Sequence, residues 1–224
     1  MAATVAANVS WFTVVASSAL TSAIVNVGWN ALSKWLDRRR ENKKEVQRVD
    51  HVKLEIVQQL EAFAKRCRIH SNNIHDGLHS YYEEHDDSFS RVGKIQFEFD
   101  PAPKWEELPV SFVAPIKWMP LQFRESDQYI MDAVDYIGID DAYELELERV
   151  AFYGLKALNT AAKIRGEIKA DYEGGAELDV ARKDFEDLIE KRRQLYLSAS
   201  SSVRLLPEFT AQFEAEWGRR KPAD

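Results

Sequence analysis

The first 33 residues carry no charged side chain, and a basic cluster follows at once: Lys34, Arg38, Arg39, Arg40, Lys43 and Lys44. An uncharged stretch of this length needs cover from lipid, from another helix or from a core. A membrane span takes about 20 mainly apolar residues. Val9 to Gly28 supplies that length, diluted by Ser10, Thr13, Ser17, Ser18, Thr21, Ser22 and Asn26. Trp11 and Trp29 lie about 27 Å apart at the helical rise, so each indole falls near a headgroup layer. With the basic residues only on its C-terminal side, the run predicts a single span at an inner (plasma) membrane, N-terminus outside and bulk cytoplasmic. Trp11, Trp29, Arg38, Arg39 and Arg40 would be its anchors. A cleaved signal is disfavoured, because no charge precedes the apolar stretch.

The polar residues of the same run point a second way. Ser18, Ser22, Asn26, Asn30 and Lys34 recur every fourth position and form one stripe. Such a helix could lie in the membrane plane or pack inside a soluble bundle. Within a span the stripe would face another helix, and Ala19 with Ala23 would permit close approach. Self-association through this helix and contact with membrane lipids are the partners expected, beside an unknown protein partner.

Charge is segregated along the chain. Residues 34–53 hold 8 basic and 4 acidic side chains, whereas residues 83–150 hold 6 basic and 17 acidic. The formal net charge of −7 disfavours nucleic acid as a partner. Cys67 is the one cysteine and falls inside a helical apolar pattern, so it reads as a buried thiol, not a nucleophile.

From Asp37 to Tyr82 the spacing is helical, with Val49, Val52, Ile56, Leu60, Phe63, Cys67, Ile74, Leu78 and Tyr82 on a narrow stripe. Residues 86–120 then hold five prolines, and Ile95, Phe97 and Phe99 alternate with Gln96 and Glu98. That period suggests a strand, with Val110 and Phe112 as an edge partner in a small hairpin. Trp105, Phe112 and Trp118 make this crossover the candidate contact surface.

A helix is expected over 121–137, and after Gly138 a second to about Tyr172, capped by Asp140 or Asp141. The turn at Gly174-Gly175 leads to a third that ends before Pro207. The fold class is therefore mainly α: an N-terminal transmembrane helix (1–36), then an antiparallel bundle of long helices (37–224). That bundle includes the crossover (86–120) and an amphipathic tail (207–224) whose Phe209, Phe213 and Trp217 stripe is expected to dock on it. Glu144, Glu146 and Glu148, spaced by two, read as a solvated surface.

Chemistry is sparse. His75, His79 and Glu83 share one helix face at steps of four, the spacing of a transition-metal site, without the glutamate of a metalloprotease motif. No phosphate loop, CxxC pair, nucleophile elbow or paired Glu-x-x-His is present. No cofactor is implied. The residues suggest a non-catalytic, membrane-anchored interaction protein (adaptor, sensor or assembly component). The alternatives are a soluble helical oligomer whose N-terminal helix is a core or subunit contact, or a membrane-active pore-forming effector.

Overall fold

The computed structural model describes residues 11–84, 93–170, 175–198 and 205–220. The chain divides after Val49 into two units. A single helix, α1 (Trp11–Glu84), belongs to both.

In the first unit α1 carries the uncharged run and the basic cluster. Every residue from 34 to 48 is exposed. Trp29 is 69% exposed and Trp35 54%, and the Arg39 guanidinium sits 5.1 Å from the Trp35 ring. Among the described residues no helix is long and apolar enough to cross a membrane. The transmembrane reading of Val9 to Gly28 thus finds no support among the described residues. The side chains of residues 11–28, Trp11 included, lie outside the described set, as do residues 9 and 10.

In the second unit the stripe anticipated on α1 is a core face from Val52 to Leu78, whereas Tyr82 is exposed. Val52, Ile56, Leu60, Phe63, Cys67, Ile74 and Leu78 are all buried. Each large apolar side chain so enclosed is worth roughly 1.5–3 kcal/mol over leaving it in water. The stripe is covered by α2 (Val110–Lys117), α3 (Met119–Ile137), α4 (Ile139–Ile168), α5 (Ala176–Ser198) and the segment preceding α2, and α6 (Pro207–Arg220) packs on α4 and α5. Ion pairs fix the directions. Lys53 with Glu167 and Arg165 with Glu61 set α1 and α4 antiparallel, whereas Lys65 with Glu177 and Arg68 with Asp184 set α5 parallel to α1. The α4–α5 hairpin is antiparallel, with Arg182 bonded to Asn159 at one end and Arg192 paired with Glu148 nearer the other. On α6, Phe209 and Phe213 are buried; the Trp217 side chain lies outside the described set.

The hairpin expected in the crossover is absent, and no strand occurs among the described residues. Residues 93–99 are extended, with Phe97 inward and Gln96 and Glu98 outward. In place of a neighbouring strand they have the core: Phe97 stacks on Phe63 at 3.9 Å between ring centres, and Phe123 meets Phe63 edge-on at 5.1 Å. Val110 and Phe112 belong to α2 instead. Pro109 begins that helix with φ −60°, its carbonyl accepting the N–H groups of Phe112 and Val113, and Ile116 is the buried residue of the helix.

Gly138 (φ 87°) is the N-cap of α4, and its carbonyl accepts the Ala142 N–H. Asp140 and Asp141, expected as the cap, fall inside the helix. The left-handed Lys169 closes α4 (φ 51°), with the Ala170 N–H bonded to Arg165 O. Gly174 and the end expected for the third helix, residues 199–204, lie outside the described residues.

Candidate functional site: a buried ionic network beside a cationic cleft

Arg149 is, with Glu148, among the most enclosed charges described, its side chain 1% exposed. Its Nε and Nη2 donate to the two oxygens of Glu146 at 2.6 and 2.7 Å, a bidentate pair one helical turn apart. Nη1 donates to the Phe123 carbonyl at 2.9 Å, and the guanidinium lies 3.9 Å from the centre of the Phe123 ring. His70 of α1 meets Glu146 Oε1 at 3.1 Å. Burial works to raise the Glu146 pKa, but the hydrogen bonds from His70 and Arg149 outweigh it and hold the carboxyl below its ordinary value.

A second cluster lies on another side of α4. Glu148 accepts the backbone N–H of Leu206 at 3.0 Å and pairs with Arg192 Nε at 3.1 Å. Glu144 also pairs with Arg192. Burial pushes Glu148 up to about 8, against the pull of the Leu206 N–H. On the next side of α4, Tyr153 donates to Glu208 at 2.8 Å, and Ser126 is bonded to both. Burial, with Glu208 adding to it, raises the Tyr153 phenol.

The acidic trio is thus corrected. Glu146 and Glu148 are interior, and Glu144 and Glu148 share a face because they are one turn apart. A signal for His70 was also present. It fills the gap between Cys67 and Ile74 in the apolar stripe of α1, a position where a polar residue must find a buried partner.

The groups singled out from the sequence are more scattered. His79 pairs with Glu83 at 3.2 Å on an exposed face, and His75 is exposed. Among the described residues no three His, Cys, Asp or Glu side chains are grouped so as to hold a metal ion. Trp105 packs edge-on against Phe99 at 5.2 Å, and Phe112 lies under the Lys53 ammonium at 4.8 Å. Trp118, 58% exposed, is the one of that trio open to a partner. Arg38, Arg39 and Arg40 are exposed. Cys67 is fully buried, and burial raises its thiol pKa far from the reactive range.

Beside Arg149 a cleft of about 460 Å³ opens between the extended segment and α3, lined by Lys94, Phe97, Lys117, Phe123 and Arg124 among others.

No family model, no curated protein and no solved structure matches this chain.

Proposed function

We propose that this chain is a non-catalytic helical interaction protein that attaches to a membrane surface through its first unit and offers its bundle to a protein partner. The observation that carries this is the exposed segment 34–48, where Trp35 and Leu36 stand among Lys34, Arg38, Arg39, Arg40, Lys43, Lys44 and Arg48. Exposed indoles beside a cationic cluster suit the headgroup layer of an anionic leaflet, where each cation near the surface adds about 1 kcal/mol. The uncharged residues before Lys34 would supply the apolar contact. The interior charges support a binding role over catalysis, since Arg149, Glu146 and Glu148 are engaged with one another or with neighbouring helices.

The test is flotation of the full-length protein with anionic and with neutral vesicles. Flotation with anionic vesicles, abolished by Arg38→Glu, Arg39→Glu and Arg40→Glu together, would support attachment. Protein left at the bottom of the gradient with both vesicle types would overturn it.

A second reading has one observation in its favour. Trp29 and Leu36 are both exposed and seven residues apart on one helix, the step of a helix–helix seam. A helical oligomer formed through that face would show a concentration-dependent mass without lipid, lost in Trp29→Glu.

A further inference from the structure

Residues 83–150 are strongly acidic, yet four of their six basic side chains (Lys94, Lys117, Arg124 and Arg149) line one cleft. Random placement on such a surface would disperse them among carboxylates. Only Glu98 and Asp127 supply negative charge to this lining. Asp127 is already shared between two cations, 3.5 Å from Arg149 Nη2 and 3.6 Å from Lys94 Nζ. Lys117 and Arg124 make no ion pair among the described residues and are exposed at the rim.

The floor is apolar: Phe97 and Phe123 are buried beneath it, and Pro120 and Leu121 are half-buried at its side. Its volume, about 460 Å³, falls within the range of small-molecule sites, and so does the mixture of apolar walls with a few convergent polar groups. Two other clefts each hold an arginine engaged by a glutamate. Arg165 is bonded to Glu61 in one, and in another Arg193 is bonded to Glu190.

We propose that this cleft binds a small organic anion, its flat apolar body against the Phe97 and Phe123 side and its carboxylate, sulfonate or phosphate held by Lys117 and Arg124. Charge-assisted bonds from two uncommitted cations supply orientation, and removal of the apolar body from water supplies affinity. The positive potential of the cleft within an acidic surface steers an anion to this place and repels it elsewhere.

The experiment titrates the full-length protein with anilinonaphthalene sulfonate, an aromatic anion whose fluorescence reports burial. Saturable binding is expected, weakened about tenfold in Lys117→Glu and in Arg124→Glu, which corresponds to about 1.4 kcal/mol for each reversal. Lys104→Glu, the same change of net charge outside the cleft, should leave affinity unchanged. Naphthoate should compete for the site and naphthalene should not. The reversed residues are exposed, and far-ultraviolet circular dichroism checks that the helices persist. Absence of saturable binding, or equal affinity in both cleft variants and the wild type, would overturn the proposal.

Discussion

The ring of Phe185 occupies the space where a side chain on Gly154 would begin: a Cβ built there would lie 2.6 Å from Phe185 Cε2 and 3.2 Å from the Cβ of Cys67. Glycine in mid-helix, which by propensity alone weakens α4, thus lets α5 and α1 come close. Phe185 is fully enclosed and has little room to withdraw. Gly154→Ala should therefore destabilise the bundle by about 1–3 kcal/mol from overpacking, less a helix-propensity gain of about 1 kcal/mol. Gly166, in the same helix, has nothing within 4 Å of the equivalent position. Gly166→Ala should stabilise by about 0.5–1 kcal/mol. Thermal melts of the two variants should move in opposite directions.

Arg149→Ala leaves the Phe123 carbonyl without its donor and the Glu146 carboxylate with His70 alone. Breaking one side of an enclosed pair costs about 3–5 kcal/mol, a large share of the stability of an ordinary domain. Replacing both partners, Arg149→Met with Glu146→Leu, should recover much of that loss. Urea denaturation of the single and double variants measures the difference.

Glu148 makes stability depend on pH. Its folded-state pKa, about 8, is raised above the ordinary carboxyl value. Its contribution is therefore complete below the unfolded pKa and is lost as pH rises through the folded one. The slope is at most about 1.4 kcal/mol per pH unit between about pH 4.5 and 8, and the groups facing Glu148 are Arg192 and the Leu206 N–H. Glu148→Gln keeps an acceptor for that N–H and should flatten the dependence across this window. Glu146 has the opposite sign: its pKa is depressed, so its contribution is lost as pH falls below the ordinary carboxyl range.

Cys67 should resist alkylation in the native protein and react at a normal rate once the chain is unfolded in urea. Its thiol, alone in the chain, then reports opening of the α1 face directly. Fast labelling without denaturant would contradict the packing of Phe185 and Gly154 around it.

The core face of α1 was legible because apolar residues at steps of three and four leave few alternatives. The inward turn of Phe97 was legible for a similar reason, since alternation reports sidedness. It does not report what lies alongside, and here an aromatic cluster takes the place of a second strand. The ionic interior escaped notice for a different reason. His70 and Glu146 are separated by 76 residues, and Glu148 and Leu206 by 58. A charge spaced along one helix shows its own face but not which distant segment will enclose it. Trp118 was expected at a contact surface together with Trp105 and Phe112, yet those two are packed against Phe99 and Lys53.

The Glu148–Leu206 bond has a consequence for biosynthesis. A chain leaving the ribosome produces α1 with its stripe from Val52 to Leu78 long before Phe123, Arg149 and Phe185 exist to cover it. Glu148 finds its backbone donor only after residue 206 has emerged, so native closure waits for nearly the whole second unit. During that interval a long helix with an uncovered apolar face and an interior histidine lacking its acid is available to other chains. Nascent polypeptide of this sequence should consequently be a strong client for holding chaperones until α6 is released, and a ribosome stalled before Leu206 should retain it.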